Sequence, residues 1–245
     1  MNIGIIGLGY VGKAIKDFFQ KKDINIKTYD KFIIESSNVD NLKDLVMNTK
    51  VIFICVPTPM NEDGSCHTDI VEEVVSDINS LSIDFKRAVL IKSTVPPGTT
   101  FKLNQKNKNI DVMFNPEFLT EANFINDFVN QNRIIIGSDE GNFSVVNEIY
   151  KKCFPSIPII NTNSKTAEMV KYLTNTFLAT KVSFANEMKS ICDKLNIDYQ
   201  DVINYSLYDS RLGDSHWNVP GPDGKDGFGG SCFPKDVNSL ITLCK

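Results

Sequence analysis

The feature that most constrains this sequence is a set of three closely spaced glycines directly after a short apolar run. Gly7, Gly9 and Gly12 follow Ile3 to Ile6 and open a helical stretch that starts near Tyr10. In such a turn the first glycine permits a tight bend, the second lets the backbone approach a phosphate, and the third lets helix and strand pack closely. The pattern therefore predicts a strand–turn–helix unit whose helix N-terminus binds the pyrophosphate of a dinucleotide.

A carboxylate at the end of the second apolar run completes this pattern. Asp30 lies 18 residues after Gly12, where it can accept hydrogen bonds from ribose hydroxyls and repel a 2′-phosphate. NAD is therefore favoured over NADP as the cofactor, although Lys31 beside it is compatible with a phosphate. The alternative interpretation is that Asp30 is a surface turn residue.

The first 163 residues alternate short β-branched runs with helical stretches, which predicts an α/β fold with a doubly wound parallel sheet. Most of these runs are continuously apolar, as expected for strands that are buried on both faces. The predicted strands are Ile3 to Ile6, Ile26 to Tyr29, Val51 to Cys55, Val89 to Lys92, Val112 to Phe114, Ile134 to Gly137 and Ile157 to Ile160.

The pattern changes at Ser164, because apolar residues then recur at helical spacing for more than 30 residues. This predicts one long helix. A short helix is expected after Tyr199, and residues 213–230, rich in Gly, Pro and Asp, are expected to form a loop. We therefore predict a Rossmann domain over residues 1–163 and a helical domain over residues 164–245.

Composition excludes several classes of protein. The net charge is -4 and the lysines are scattered, which argues against nucleic-acid binding. Six cysteines without a CxxC pair, and only two histidines, argue against a zinc site. No segment approaches the ~18 apolar residues of a membrane span, and no secretory signal is visible. A cytoplasmic location with free thiols is the expectation.

Two loops that follow predicted strands carry hydroxyl groups. Val56, Pro57 and Thr58 follow the third strand, and Ser93 and Thr94 follow the fourth. In doubly wound sheets ligands bind beyond the carboxyl ends of the strands, so we expect both loops to border the cofactor. The alternative is that Ser93 or Thr94 caps a helix.

Two pairs of polar residues occur at a spacing of four. Glu117 and Glu121 follow another strand end, and they face the same way if they share a helical turn. A capping role for either one is the alternative. Lys171 and Asn175 project from one face of the long helix, where an ammonium and an amide can stabilise an oxyanion. Lysines on helices are more often solvated.

Cys232 is the sharpest chemical signal. It lies just ahead of a helix in which Pro234 suits the first position, so the helix dipole and nearby Lys235 would favour the nucleophilic thiolate. Most free cysteines instead fill space as small apolar side chains. The flanking glycines favour a nucleophile, because they open the backbone around the sulfur to a ligand.

Taken in order, the motifs GLGYVG, VPTP, STVPPGT, NPEFLTE, KYLTN, a following NE, and GFGGSCFPKD resemble the UDP-glucose/GDP-mannose dehydrogenase family. This resemblance covers essentially the whole chain. It implies an NAD-dependent, four-electron oxidation of a sugar C6 hydroxyl to a carboxylate, with UDP-glucose as the default sugar-nucleotide substrate. Two alternatives compete with it. The first is a non-catalytic NAD-binding or dimerisation module, or an incomplete subunit that supplies only part of a shared site. The second is a two-electron β-hydroxyacid dehydrogenase, whose family lacks the cysteine.

The resemblance also implies roles for single residues. Cys232 would trap the aldehyde as a thiohemiacetal that becomes a thioester, and Glu117 would assist its hydrolysis. Lys171 and Asn175 would stabilise oxyanions, and Asp236 would work with Thr94 in proton transfer. The expected cofactor contacts are Gly7, Gly9, Tyr10, Val11, Gly12, Asp30, Val56, Pro57, Thr58, Ser93, Thr94, Glu121 and Lys235. The expected substrate contacts are Glu117, Phe118, Leu119, Lys171, Asn175, Arg211, Phe228 and Gly229.

The resemblance implies an assembly as well. Arg211 matches an arginine that in this family reaches the sugar nucleotide of the neighbouring subunit, which implies a homodimer built on the long helix. The loop from Asn218 to Lys225 would help to cover the substrate. Family members continue into a second Rossmann-like domain, whereas this sequence stops at Lys245, so we expect either a natural short form without that nucleotide-binding domain or a fragment.

Overall fold

A computed structural model describes residues 2–245 and shows an α/β fold around a seven-stranded sheet. The strands are β1 (Asn2–Ile6), β2 (Asn25–Tyr29), β3 (Val51–Ile54), β4 (Arg87–Ile91), β5 (Ile110–Phe114), β6 (Ile134–Gly137) and β7 (Ile159–Thr162). The helices are α1 (Tyr10–Gln20), α2 (Leu42–Met47), α3 (Asp69–Leu81), α4 (Thr99–Lys106), α5 (Phe124–Val129), α6 (Ser144–Cys153), α7 (Ser164–Leu195), α8 (Tyr199–Ser206) and α9 (Phe233–Leu243). Short 3-10 turns occupy Ile34–Ser36 and Ser210–Leu212.

The strand order places the turn that starts at Gly7 beside a crevice at the carboxyl edge of the sheet. The order is β2-β1-β3-β4-β5-β6-β7, so the chain crosses to opposite sides of β1 when it forms β2 and then β3. This reversal creates a crevice at the carboxyl end of β1, which is where doubly wound sheets bind their ligands. The turn that starts at Gly7 lies at this point.

Helices cover both faces of the sheet, as the apolar runs predict. One face carries Ile5 and Phe53, which pack with Phe19 of α1 and Ile149 of α6. Alternate strand residues such as Ile54 point to the other face and pack with residues of α2, α3 and α4. Because successive side chains in a strand point to opposite faces, a strand buried on both sides must be apolar throughout.

The structure confirms the fold class and corrects some details of the strands. β6 pairs with β5 in the antiparallel sense, through Phe114 and Gly137, so the sheet is mixed and not wholly parallel. β7 begins at Ile159, later than predicted, because Pro158 has no backbone N–H to donate to the ladder. β4 begins earlier than predicted, at the fully buried Arg87.

The chain divides into two compact units. The first contains residues 1–59 and 66–171, and the second contains residues 60–65 and 172–245. The division falls within α7, between Lys171 and Tyr172, whereas the sequence places the domain boundary at residue 163. In the second unit, Ala185 and Cys192 of α7 pack against Tyr199 and Ile203 of α8 and against Trp217.

Other sequence predictions concern the second unit. α7 has 32 residues, α8 begins at Tyr199, and residues 213–230 form neither helix nor strand, all as predicted. α9 begins at Phe233, so Pro234 occupies its second position and not its first. Among the helices described, none is both long and apolar enough to cross a membrane.

Candidate active site

The glycine turn adopts the geometry that its sequence predicts. Gly7 has φ +89°, and a Cβ there would lie 2.6 Å from the Cys55 carbonyl oxygen. A Cβ on Gly12 would lie 2.0 Å from the Gly7 carbonyl oxygen, whereas a Cβ on Gly9 would meet nothing within 4 Å. Gly7 and Gly12 are therefore required by packing. Gly9 faces open space beside the start of α1.

Asp30 ties the glycine turn to the segment after β2. Its carboxylate accepts backbone N–H groups from Leu8 at 2.7 Å, Phe32 at 2.8 Å and Ile33 at 2.9 Å. Burial raises the pKa of Asp30, but these N–H groups and Lys13 outweigh it and leave the pKa lowered. Asp30 is therefore ionised, and its lone pairs already serve three protein donors in addition to any ribose hydroxyl.

The loops after β3 and β4 are joined by a hydroxyl group. Ser93 Oγ donates to the Val56 carbonyl oxygen at 2.6 Å, and Thr58 and Thr94 are buried beside this connection. The alternative that Ser93 or Thr94 caps a helix is wrong, because the N-cap of α4 is Gly98. The loop after β4 is thereby held against the loop after β3.

Glu168 of α7 performs the capping that the sequence suggested for a hydroxyl. Its fully buried carboxylate accepts the backbone N–H groups of Gly98 at 2.5 Å and Thr100 at 2.8 Å, at the start of α4. Glu168 is not among the site residues that the sequence predicts. Its local sequence gives little signal, because its neighbours at helical spacing include the polar Ser164, Lys165 and Lys171.

Glu117 and Lys171 form a buried ion pair in the first unit. Lys171 Nζ donates to Glu117 Oε1 at 2.9 Å and to the Glu117 carbonyl oxygen at 2.7 Å. Lys171 is 3% exposed, so the expectation that a helical lysine is solvated is wrong here. Burial raises the pKa of Glu117, but Lys171, the Leu119 N–H and Lys92 outweigh it, and the pKa is lowered.

Glu117 and Glu121 do not share a helical turn. Residues 115–120 are not helical, and Glu117 Oε2 accepts the backbone N–H of Leu119 at 2.7 Å. A carboxylate that captures the N–H two residues ahead stabilises a turn at the expense of a helix. Glu121 is exposed, so the structure separates the environments of the two carboxylates.

The start of α9 holds a second polar cluster, in the second unit. Cys232 is the N-cap residue of α9 and is half-buried, with its Sγ 3.8 Å from Ser231 Oγ. One turn later, Asp236 is 1% exposed and accepts a hydrogen bond from Asn175 Nδ2 at 2.5 Å. Lys235 Nζ donates to the same carboxylate at 2.5 Å.

This cluster revises the expected role of Lys235. Its ammonium is paired with Asp236, so the carboxylate offsets the positive charge that was expected to favour the Cys232 thiolate. The N-terminus of α9 remains as a source of positive potential near the sulfur, because Cys232 precedes the first residue of this 11-residue helix.

Several other predicted site residues are at least partly exposed. Arg211 is largely exposed, and its Nε donates to the Asp209 carboxylate at 2.8 and 3.0 Å. Phe118 lies against the guanidinium of Arg133, at 4.1 Å from ring centre to Cζ. The remaining residues are half-buried or exposed: Tyr10, Val11, Val56, Pro57, Leu119, Phe228 and Gly229. Within residues 2–245, no group of three or more His, Cys, Asp or Glu side chains is arranged to hold a metal ion.

Comparison with known families decides the classification. Residues 34–154 match the NAD binding domain of the UDP-glucose/GDP-mannose dehydrogenase family, and residues 165–245 match the central domain of the same family. The chain belongs to the UDP-glucose/GDP-mannose dehydrogenase family. The site for the dinucleotide is therefore an NAD site.

Individual members of this family are similar over the whole chain. A UDP-glucose 6-dehydrogenase from Rickettsia bellii is 32% identical and aligns with 100% of this chain and 63% of that protein. A solved UDP-glucose dehydrogenase from Pyrobaculum islandicum is 29% identical with a TM-score of 0.86, covering 99% of this chain and 63% of that one. The chain thus spans somewhat less than two thirds of the length of these relatives.

Two further solved structures show how widely the fold is shared. A GDP-mannose dehydrogenase from Pseudomonas aeruginosa is 28% identical with a TM-score of 0.77, covering 100% of this chain and 64% of that one. A 3-hydroxyisobutyrate dehydrogenase from Mycobacterium tuberculosis has a TM-score of 0.75 at 15% identity, covering 99% of this chain and 86% of that one. The second likeness concerns the fold alone.

The residues present at the glycine turn fit NAD. All residues of this turn are described, and neither a capping nor an acidic side chain occupies the start of α1. The N–H groups of the first helical turn are thus available to a pyrophosphate, and open space lies beside Gly9. The ionised Asp30 adds the charge that disfavours a 2′-phosphate.

Proposed function

We propose that this protein is an NAD-dependent nucleotide-sugar 6-dehydrogenase that oxidises a sugar C6 hydroxyl to a carboxylate, with UDP-glucose as the default substrate. The observation that carries the proposal is the hydrogen-bonded cluster of the buried Asn175 and Asp236 with the partly buried Lys235, one turn along α9 from the half-buried Cys232. Burying these polar groups costs free energy that a protein recovers only through their pairing or their function. A cytoplasmic location and a homodimer remain predictions.

The proposed reaction proceeds through a covalent intermediate on the cysteine. The glycine turn and Asp30 would hold NAD, which would supply the acceptor for one hydride per molecule, so that the two oxidation steps consume two NAD. Cys232 Sγ adds to the carbon of the aldehyde from the first step, which forms a C–S bond and a thiohemiacetal. Loss of a second hydride from the same carbon, together with the proton of the thiohemiacetal hydroxyl, would give a thioester, and water would then displace the Cys232 thiolate to give the carboxylate. A thioester divides one difficult oxidation into easier steps.

Supporting residues supply charge and proton transfer. Glu117 is ionised by its surroundings, so it is suited to take a proton from the water that attacks the thioester. Lys171 and Asn175 stand one turn apart on α7 and would donate to the oxyanions that form at the reacting carbon. Asp236, with Thr94, would move the proton of the substrate hydroxyl.

The stoichiometry of the cofactor tests this proposal. We expect two NADH per sugar nucleotide consumed when the protein is incubated with NAD and UDP-glucose, UDP-N-acetylhexosamines or GDP-mannose. Cys232→Ser should stop after the first oxidation, whereas Cys244→Ser, an exposed cysteine at the end of α9, should behave as wild type. No NADH with any sugar nucleotide, despite measured NAD binding, would refute the proposal.

The same experiment separates the competing functions. A non-catalytic module would bind NAD without turnover. A two-electron hydroxyacid dehydrogenase would release one NADH per hydroxy acid and would tolerate Cys232→Ser. For the proposed dehydrogenase, in contrast, Glu117→Gln should accumulate a covalent sugar-nucleotide adduct on the protein. Intact-mass spectrometry detects this adduct, which should be absent from Cys232→Ser.

A further inference from the structure

Lys92 is a buried cation to which the proposed reaction assigns no role. It follows β4 directly and is 4% exposed. Its Nζ donates to Asn115 Oδ1 at 3.0 Å and to the Pro116 carbonyl oxygen at 3.3 Å. A buried ammonium is costly unless it is hydrogen-bonded and faces an opposite charge, so its surroundings indicate what it serves.

The contacts of Lys92 lead to the segment that carries Glu117. Asn115 is itself fixed, because its Nδ2 donates to the Ile135 carbonyl oxygen at 2.6 Å and its Oδ1 also accepts from the hydroxyl of Tyr150. Pro116 has no N–H and cannot anchor itself by donation. Lys92 therefore holds the peptide group immediately before Glu117.

A second lysine holds the next peptide group. Lys171, from α7, donates to the carbonyl oxygen and to the carboxylate of Glu117. Consecutive carbonyl groups at Pro116 and Glu117 are thus each bound by a buried ammonium, one from the end of β4 and one from α7. Two fixed carbonyls on adjacent residues restrict the backbone rotations that aim the Glu117 side chain.

Glu117 is the anionic group among the ionisable side chains that face Lys92. The groups that face Lys92 are Cys55, Tyr150, Lys171 and Glu117. Burial raises the pKa of Cys55 to about 12 and that of Tyr150 well above its usual value, so both stay neutral. Burial lowers the pKa of Lys92 itself to about 8, which leaves it mainly protonated at neutral pH.

We propose that Lys92 is a positioning residue for Glu117: it fixes the Pro116 carbonyl and adds to the positive charge around the Glu117 carboxylate, which serves hydrolysis of the covalent intermediate. The proposal rests on the proposed function, because that function gives Glu117 its task. Lys92 acts through Glu117 and through the backbone before it. Loss of the ammonium removes a cation that favours the charged form of Glu117, so the pKa of Glu117 rises.

The titration of Glu117 tests this directly. We would follow its side-chain carboxyl carbon by NMR in protein labelled with ¹³C-glutamate, with Glu117→Gln identifying the signal. In Lys92→Met the midpoint should move upward relative to wild type, because Lys92 is one of the cations that lower the pKa of Glu117. In Tyr150→Phe, which removes a hydrogen bond to Asn115 but keeps the ammonium, the midpoint should stay in place.

A kinetic measurement accompanies the titration. The rate at which the adduct on Cys232 is hydrolysed should fall at low pH, and Lys92→Met should shift this acid limb upward by the same amount as the NMR midpoint. Lys92→Gln keeps a donor for the Pro116 carbonyl without the charge. It should recover the rate at high pH but retain the shifted limb, which a purely structural role of Lys92 does not predict.

The outcomes distinguish this inference from the function on which it rests. An unchanged Glu117 midpoint in both Lys92 variants, or an equal shift in Tyr150→Phe, would overturn the positioning role. If Lys92→Met fails to fold, the titration of Lys92→Gln decides the question. If wild type yields no NADH and no adduct while the midpoint still shifts, the link between Lys92 and Glu117 stands and the proposed reaction falls.

Discussion

At Gly12 and Gly9, two glycines of one turn serve different purposes. An added Cβ on Gly12 would lie 2.0 Å from the Gly7 carbonyl oxygen, a contact that forces α1 away from β1. An added Cβ on Gly9 would enter open space at the start of the same helix. The first residue is therefore constrained by the fold. The second leaves room for a ligand to approach.

This difference predicts opposite results for two alanine substitutions. Gly12→Ala should lower the free energy of unfolding by about 1–3 kcal/mol, the usual cost of forcing extra atoms into a packed site. Gly9→Ala should leave that free energy nearly unchanged but weaken NAD binding at least tenfold, because its methyl group occupies the space beside the pyrophosphate. Urea unfolding and calorimetric titration with NAD measure the two effects; equal stabilities of the two variants would contradict this interpretation.

The start of the helix α4 depends on a carboxylate from another helix. Gly98, at its N-cap, contributes no side chain, so Glu168 of α7 accepts the N–H groups of Gly98 and Thr100 instead. This contact fixes the loop that contains Thr94 relative to the beginning of α7. A helix cap from a distant element thus joins two parts of the first unit.

Removing this cap should have a measurable cost. Glu168→Ala leaves two buried N–H groups without their acceptor, and we expect a loss of about 2 kcal/mol or more in the free energy of unfolding. Glu148→Ala, which removes an exposed carboxylate from α6, should change it by less than about 0.5 kcal/mol. Chemical denaturation measures both. If Glu168→Ala leaves the free energy of unfolding unchanged, water replaces the cap and this interpretation is wrong.

At the scale of the whole molecule, α7 leaves large apolar side chains exposed. Leu173 is 65% exposed and Phe177, one turn later, is 63% exposed. Contiguous apolar side chains on a helix surface commonly mark an interface between proteins. This observation agrees with the homodimer that the family resemblance implies.

A charge placed on this surface should prevent association. We expect Leu173→Asp with Phe177→Asp to be monomeric by light scattering after size-exclusion chromatography, while wild type elutes as a dimer. Ile83→Asp serves as the control, because Ile83 is 83% exposed in the turn after α3, away from α7 in the sequence. A wild-type monomer, or a dimer that survives the double substitution, would remove α7 from the interface.

Local patterns in the sequence determined the elements of this protein. The glycine turn, the buried strands and the 32-residue α7 were predictable, because backbone torsion angles and the spacing of apolar residues are local properties. Cys232 at the start of α9 was predictable for the same reason. The predicted bounds of strands that depend on hydrogen bonds to a neighbouring strand, such as β7, were less accurate.

Only the tertiary structure decided which charges meet. Lys171 and Glu117 are 54 positions apart, and nothing in their local sequence distinguishes a buried ion pair from two solvated residues. The same holds for Lys92 beneath Pro116 and for Glu168 at the start of α4. Pairing of this kind depends on the order of strands and on burial, because a charge leaves water only where a distant partner compensates it.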